Sequence, residues 1–175
     1  TLPFLRESLG KQYFVNEVFG NFDGAAYYYL HKVNGHRVEV HDPYALSSES
    51  NSGASYIINL EKISHPIHRA QTQMSMTEAI IYEMSVRDFC MQKEAKFTYP
   101  GKFKSLTESP QLQKHTLGME YIKQLGVTHI QLMPLYDFGS VDENHPELVY
   151  NWGYDPMQYN LPDGSFTTNP HDPYA

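Results

Sequence analysis

The sequence has little of what marks several classes of protein. Its one cysteine, Cys90, cannot form an internal disulfide, so nothing indicates a disulfide-stabilised extracellular scaffold. We interpret Cys90 as a buried thiol rather than a reactive one. No apolar run reaches the eighteen or so residues that a membrane helix needs, and the first residues lack a signal peptide's charged and apolar regions. We expect no membrane partner, and the sequence does not distinguish a cytoplasmic from a secreted protein.

Basic residues are also scarce. Thirteen Lys and Arg against twenty Asp and Glu give a net charge of −7, and the cations form no stripe that could follow a phosphate backbone. Nucleic acid is therefore not an expected partner. With 41% apolar residues, the 175-residue chain can bury a core as one domain or parts of two. The enriched residue is Tyr, at fourteen copies, which suits packing on sugar rings and equally suits the core of a β-sandwich.

The first part of the chain predicts antiparallel β-structure. Between about Val15 and Leu60, short β-rich runs are broken by turn residues. Asn34-Gly35 separates two such runs and tolerates the positive φ angles of a type I′ hairpin turn. Residues 56–60 predict another strand. We interpret residues 1–62 as the C-terminal part of a β-sandwich module.

A connector and a new pattern follow. Residues 63–78 are polar and show no periodicity. His65 and His68 within them are interpreted as surface residues, because Pro66 breaks the helical phasing that a metal pair would use. Apolar runs at 79–84 and 127–134 predict two strands, and a stripe of apolar residues ending at Gly126 predicts a helix between them. Such a βαβ unit has parallel strands with a right-handed connection.

The remaining segment, 135–175, predicts a long functional loop. Its strongest motif is Tyr150-Asn151-Trp152-Gly153-Tyr154-Asp155-Pro156, directly downstream of the second parallel strand. An aromatic plane can lie against the C–H face of a pyranose, and a carboxylate or an amide can bind the sugar hydroxyls. The alternative is that Trp152 and Tyr154 are packing anchors of the loop.

Several strings carry a family resemblance. They are IYEMSVRDF at 81–89, LGVTHIQLMPLYDF at 125–138, VDE at 141–143, YNWGYDP at 150–156 and YNLPDGSFTTNP at 159–170. In order and spacing they resemble the start of the catalytic barrel of type I pullulanases, in the α-amylase superfamily. DGAAYYYLHKVNGHRVEVHDPYA at 23–45 resembles the end of the family-forty-eight carbohydrate-binding module that precedes this barrel.

The resemblance implies a fold and a site. The fold is the end of a β-sandwich followed by the first βαβ part of an incomplete TIM (β/α)₈ barrel, with the truncated catalytic domain at 79–175. Tyr154 would stack on the glucose whose anomeric bond is cut, and Asp155 would bind its hydroxyls. Asn151 and Trp152 would support the loop.

The resemblance also implies an activity and its limits. The parent would hydrolyse α-1,6 branches of pullulan, amylopectin or glycogen with retention, and its catalytic carboxylates would lie beyond Ala175. We therefore expect no catalytic residue in this chain. We do not assign catalysis to any of its nearest carboxylates, which are Asp137, Asp142, Glu143 and Asp155.

The expected partner is an α-glucan polysaccharide or oligosaccharide. No cofactor is evident and no metal ligands are predicted; a structural calcium ion in the parent would follow from the resemblance alone, since Asp163-Gly164 lacks the alternating oxygen ligands of a calcium loop. Two alternatives stay open. One is a non-catalytic glucan-binding module, and the other is a piece of an isoamylase or a glucan-branching enzyme.

Overall fold

The computed structural model describes residues 4–8, 10–63 and 74–175. His65, Pro66, His68 and most of the expected connector lie outside these ranges. The described part is mostly short strands with little helix, and no closed barrel forms within it. None of its helices combines the length and apolarity that crossing a membrane requires.

The strands pair two by two. Their bounds are β1 Phe4–Ser8, β2 Lys11–Val15, β3 Ala26–Tyr27, β4 Tyr29–Val33, β5 His36–Val40, β6 Ser55–Tyr56, β7 Ile81–Met84, β8 Gln111–Leu112, β9 His115–Thr116, β10 His129–Leu132, β11 Tyr136–Phe138 and β12 Pro156–Pro162. The α-helix is α1 Gly118–Leu125. Short 3₁₀ helices span Leu60–Lys62, Met76–Glu78, Asp88–Cys90, Lys93–Ala95, Phe103–Thr107 and Gly164–Phe166.

The hairpin predicted at Asn34-Gly35 is confirmed. β4 and β5 pair antiparallel from Tyr29↔Val40 to Val33↔His36, leaving a two-residue turn. Asn34 has φ 51° and Gly35 has φ 86°, the left-handed conformation that a type I′ turn requires at both positions.

The strand expected at 56–60 is shorter than predicted. β6 contains only Ser55 and Tyr56 and pairs antiparallel with β3. The chain then turns into the 3₁₀ helix Leu60–Lys62, because the Asn59 side chain accepts a hydrogen bond from the Glu61 N–H and caps it. The capping residue therefore overrides the β-propensity of the preceding isoleucines.

The two strands predicted to be parallel are confirmed as parallel. β7 and β10 pair from His129↔Ile81 to Leu132↔Met84. Both strands end at the same edge, so the segments that follow Met84 and Leu132 leave from one side of this sheet. That edge is where the loop 150–155 lies.

The helix α1 precedes β10, as the sequence predicts. Gly126 ends it with φ 72°, a conformation that a glycine adopts without strain. Of the predicted apolar stripe, Ile122 is buried, whereas Tyr121 and Leu125 are exposed. Leu117, the first residue of the stripe, is half-buried, so the stripe is only partly covered within the described residues.

The segment 135–175 is more regular than predicted. β11 and β12 pair antiparallel, with Tyr136↔Pro162 and Phe138↔Pro156 at the two ends of the ladder. Register shifts on either side of Asp137 interrupt the ladder. Such bulges remove the strict two-residue alternation by which a strand is recognised in sequence.

The core lies between this segment and the end of β7. Val86, Phe138, Val141 and Phe166 are all buried and pack together. The Phe138 and Phe166 rings meet edge to face with centroids 6.0 Å apart. The predicted burial of Cys90 is confirmed: it is fully buried, with Sγ 2.9 Å from Ser105 Oγ.

Hydrogen bonds join the first and last parts of the chain. Ser47 Oγ donates to the Pro173 carbonyl at 2.8 Å. The Asn59 N–H donates to the Tyr174 hydroxyl at 2.8 Å, and that hydroxyl donates to the Asp23 carboxylate. The β-rich segment is thus fastened to the end of the chain.

Candidate functional site

The loop 150–155 lies at the carboxyl end of β10. Gly153 has φ 86°, and a Cβ added there would lie 2.6 Å from the carbonyl oxygen of Pro134, two residues beyond the end of β10. Only glycine combines this conformation with so close an approach. The motif's glycine therefore holds the loop against the start of the segment that follows the strand.

Asn151 and Ser140 fix the carboxylate of Asp155. Asn151 Nδ2 donates to Asp155 Oδ1 at 2.8 Å, while Asn151 Oδ1 accepts the Gly153 N–H at 2.7 Å. Ser140 Oγ donates to Asp155 Oδ2. The Ser140 hydroxyl and the Asn151 amide lower the pKa of Asp155, so that it is ionised at neutral pH.

Two aromatic side chains beside Asp155 face solvent. Trp152 is 61% exposed and Tyr154 is 65% exposed. Neither side chain is buried as a packing anchor within this chain. The structure thus brings Asn151 and Asp155 into direct contact, and leaves the faces of Trp152 and Tyr154 available.

Tyr150 ties the loop to the end of β7. Its hydroxyl donates to Asp88 Oδ2 at 2.6 Å, and the Arg87 guanidinium lies 5.1 Å from its ring centroid. The hydrogen bond to Asp88, with some burial, raises the pKa of Tyr150. Since Arg87 and Asp88 follow β7 and the loop packs on Pro134 after β10, the motif spans the carboxyl ends of both parallel strands.

A cavity of about 320 Å³ opens beside the loop. Arg87, Lys102 and Asn151 are among its lining residues. Lys102 Nζ donates to the Ser165 carbonyl at 2.6 Å, and burial lowers the pKa of its ammonium group. The cavity is in the size range of small-ligand sites, and Arg87 and Asn151 place donor groups in its lining.

Three buried carboxylates cluster beside the β11–β12 pair. Asp137, Glu143 and Asp163 each place an oxygen within 4.8 Å of the others, so in geometry they could hold a metal ion. Burial raises the pKa of all three. Their oxygens accept hydrogen bonds from donors that include the N–H groups of Phe138, Gly164 and Ser165. The three carboxylates and these donors therefore form a hydrogen-bonded network.

Sequence reasoning missed Ser140, Asn51 and Ser52. Ser140 binds Asp155, and Asn51 and Ser52 contact the loop that carries Ser140. The signal that could have found Ser140 is Gly139-Ser140, a flexible pair with a hydroxyl close after a strand. The contacts of Asn51 and Ser52 join residues 85 to 92 positions apart, and no local pattern encodes them.

Similarity to known proteins covers nearly the whole chain. No protein-family profile matches it. The pullulanase of Bacillus subtilis strain 168 is 33% identical over 181 residues, which cover 97% of this chain and 24% of that protein. The chain is a homologue of the pullulanases. It therefore spans about a quarter of the length of this relative.

Solved pullulanase structures share its fold. A pullulanase from Anoxybacillus sp. LM18-11, complexed with maltotetraose, has a TM-score of 0.85 and 40% identity, covering 94% of this chain and 26% of the other. The apo pullulanase of Paenibacillus barengoltzii has a TM-score of 0.87 and 35% identity, covering 98% and 27%. In this pullulanase homologue, the 150–155 loop and its supports thus belong to a fold that pullulanases share.

Proposed function

We propose that this chain forms part of the α-glucan site of a pullulanase-type debranching enzyme, the parent protein. The observation that carries the proposal is the pairing of a fixed, ionised Asp155 with the exposed ring of Tyr154. Asp155 accepts hydrogen bonds from sugar hydroxyls and Tyr154 stacks on the ring. A homologous pullulanase complexed with maltotetraose supports an oligosaccharide as the ligand.

The proposal includes an architecture. Residues 1–62 are the end of a β-sandwich of the carbohydrate-binding-module type, 63–78 connect it, and 79–175 begin a (β/α)₈ barrel. The parallel pairing of β7 with β10 supports the barrel, since barrels of this kind contain parallel strands only. The antiparallel β4–β5 and β3–β6 pairs support the sandwich.

Catalysis is assigned to residues of the parent outside this chain. A retaining glycosidase needs two carboxyl groups about 5–5.5 Å apart that reach one glycosidic bond. Asp137, Glu143 and Asp163 are close enough together, but they are 2%, 5% and 0% exposed, so a sugar cannot reach them. Asp142 is exposed and bonds to His145 Nδ1 at 3.1 Å. The isolated chain is accordingly expected to have no hydrolase activity.

A non-catalytic glucan-binding module is the second candidate. Exposed Trp152 and Tyr154 beside Asp155 suffice to bind a sugar without cleaving it. The two functions differ in what the parent does: a debranching enzyme releases reducing ends from pullulan, whereas a binding module retains it.

The test assays the parent on pullulan. We expect wild-type hydrolysis, and impaired hydrolysis in the Tyr154→Ala and Asp155→Ala variants without loss of folding. Tyr44→Ala is a matched control, because Tyr44 is 84% exposed and lies outside the loop. Full activity in both loop variants would contradict the assigned site, and a folded parent that only binds pullulan would support the second candidate.

Binding can be read on the chain itself. Trp152 is its one tryptophan, so its fluorescence reports directly on the loop. We expect maltotetraose to change this fluorescence saturably, and Asp155→Ala to weaken the response. No change at any concentration in a folded chain would count against sugar binding at Trp152.

A further inference from the structure

The turn formed by residues 50–53 has a strained backbone. Asn51 has φ 59° and Ser52 has φ 55°, so two successive residues other than glycine adopt the left-handed conformation. Serine rarely adopts it, and such outliers persist only where surrounding contacts hold them. In the exposed turn at Asn34-Gly35, by contrast, one of the two successive residues with a positive φ angle is a glycine. Local hydrogen bonds close the turn, since the Gly53 N–H donates to the Glu49 carbonyl at 3.1 Å and the Glu49 N–H donates to the Ala54 carbonyl at 2.8 Å. The side chains of Asn51 and Ser52 make their contacts in a distant part of the chain.

Asn51 binds one end of the 137–143 loop. Its N–H donates to Glu143 Oε2 at 2.7 Å, and its Oδ1 accepts the Glu143 N–H at 2.8 Å. Its Nδ2 donates to Asp142 Oδ1 at 3.1 Å. The backbone and the side chain of Asn51 thus form hydrogen bonds with two consecutive residues of the loop, Asp142 and Glu143.

Ser52 binds the other end. Its Oγ lies 3.0 Å and 2.9 Å from the two carboxylate oxygens of Asp137. Asp137 is buried and also accepts a hydrogen bond from Gln158 Nε2 at 3.0 Å. Hydrogen bonds from hydroxyl and amide groups to buried carboxylates are stronger than neutral ones. The turn therefore clamps the loop at 137 and at 142–143.

The residues between these two contacts bind Asp155, the carboxylate proposed to bind the glucan. The Gly139 N–H reaches the Asp155 carbonyl at 3.4 Å, and Ser140 Oγ donates to the Asp155 carboxylate. We propose that the 50–53 turn is a positioning element of the glucan site: by clamping the 137–143 loop at both ends it sets the place of Ser140, and through Ser140 that of Asp155. This inference rests on the function proposed above.

Open space beside the 137–143 loop makes its position depend on the hydrogen bonds from the 50–53 turn. A cavity of about 390 Å³ lies between the turn and the loop, and its lining includes Asn51, Ser52, Gly139 and Ser140. A loop that packed tightly on all sides would keep its place without the turn. Phe138 and Val141 anchor this loop in the core, whereas Gly139 and Ser140 between them line the open space. The position of Ser140 therefore depends in part on Asn51 and Ser52.

The test uses the parent with glycine variants of the turn. Asn51→Gly and Ser52→Gly allow the positive φ angles without strain and remove the side-chain contacts. They also add backbone freedom in the unfolded state, which a glycine control at another positive-φ position matches. We expect each to lower kcat/KM on pullulan about tenfold, the loss typical of a hydrogen bond to a charged group. Asn34→Gly is the matched control, because Asn34 has φ 51° in the exposed hairpin turn, and we expect it to leave kcat/KM unchanged.

A double-mutant cycle with Ser140→Ala separates positioning from general stability. If the turn acts through Ser140, then Asn51→Gly costs little further kcat/KM once Ser140 is already alanine, while effects on the unfolding temperature still add. Additive losses of kcat/KM would overturn the inference.

Two further outcomes distinguish a failure of this inference from a failure of the proposed function. A parent that hydrolyses pullulan, with Asn51→Gly and Ser52→Gly indistinguishable from Asn34→Gly, would overturn the inference and leave the proposed function standing. A folded parent without pullulan hydrolysis would overturn the proposed function, and this inference with it.

Discussion

Asn151 Nδ2 lies 2.8 Å from Asp155 Oδ1, and Asn151 Oδ1 simultaneously accepts the N–H of Gly153. One side chain therefore fixes both the shape of the loop and the direction of its carboxylate. An amide is needed for this, because it presents a donor and an acceptor at the same time.

The first prediction concerns this amide. Asn151→Asp keeps an acceptor for the Gly153 N–H but sets a second negative charge against Asp155. We expect affinity for maltotetraose to fall at least about tenfold at neutral pH, since a charge-assisted hydrogen bond becomes a repulsion. Titration followed by Trp152 fluorescence measures it.

Asn21→Asp is the matched control, because Asn21 Oδ1 also accepts a nearby backbone N–H, that of Asp23 at 3.1 Å. We expect its affinity to equal that of the wild type. Equal affinity of Asn151→Asp and Asn21→Asp would show that the amide does not orient Asp155.

The second prediction separates backbone strain from steric overlap. Gly35 and Gly153 share φ 86°, but a Cβ at Gly35 meets no atom within 4 Å, whereas at Gly153 it would lie 2.6 Å from the Pro134 oxygen. Gly35→Ala should cost about 1–2 kcal/mol for the left-handed conformation alone. Gly153→Ala should cost about 1–3 kcal/mol more, because the loop must move off Pro134.

Denaturant unfolding of both variants gives the comparison, with maltotetraose binding as a second measurement. We expect Gly153→Ala to weaken binding and Gly35→Ala to leave it unchanged. Equal unfolding free energies would mean that the contact with Pro134 is not what requires glycine.

The third prediction is a pH dependence of stability. Burial raises the pKa of Asp137, Glu143 and Asp163 in the folded chain. Between the ordinary carboxyl value and the raised one, the folded state binds more protons than the unfolded state, so stability falls as pH rises through that window. Each group contributes a slope of up to about 1.4 kcal/mol per pH unit there.

The Asp137→Asn variant tests the sign of this pH dependence. Its remaining oxygen can still accept from Ser52 and Gln158, while the ionisable group is gone. We expect a shallower decline of unfolding free energy with rising pH than in the wild type or in Glu61→Gln, whose side chain is on the surface. An unchanged or steeper decline would contradict a raised pKa at Asp137.

The fourth prediction concerns exposed apolar side chains of the parallel pair. Ile81 is 60% exposed and Ile130 is 37% exposed. They lie on opposite faces of the pair, because Ile130 is in register with Tyr82. Exposed apolar strands with free edges favour self-association. We expect the isolated chain to self-associate, and Ile81→Lys to reduce this in size-exclusion chromatography.

In the parent, we expect Ile81→Lys to be harmful rather than beneficial. If the rest of a barrel covers Ile81, Ile81→Lys buries a charge there and lowers the unfolding temperature of the parent. Leu148→Lys is the control, since Leu148 is 73% exposed and lies away from the sheet. A parent that tolerates Ile81→Lys as well as Leu148→Lys would contradict the proposed barrel.

Local patterns in the sequence predicted part of this structure. Asn34-Gly35 predicted a hairpin, Gly126 the end of the helix, and the runs near 79–84 and 127–134 a parallel pair. Each depends on residues that are neighbours in sequence or share a strand. The motif at 150–156 likewise identified the loop, because its residues act together within a few positions.

The rest depends on contacts that leave no local pattern. Ser52 with Asp137 and Asn51 with Glu143 join hydroxyl, amide and carboxylate groups that are ordinary in any loop. The strand pair β11–β12 is interrupted by register shifts, so its residues do not alternate regularly. The role of Ser140 follows only once the fold has placed it on Asp155.

The fastening of the β-rich segment to the end of the chain has a consequence for biosynthesis. Ser47 bonds to Pro173 across 126 positions, and Ser52 to Asp137 across 85. A ribosome adds about 5–20 residues per second, so the 50–53 turn waits on the order of 4–17 seconds for its partner loop to emerge. During that interval the turn has only its local hydrogen bonds, such as that from the Gly53 N–H to the Glu49 carbonyl, and Ser52 lacks its bond to Asp137. Completion of this turn therefore awaits the synthesis of residue 137, and pauses between codons 53 and 137 would prolong exposure of the nascent β-rich segment.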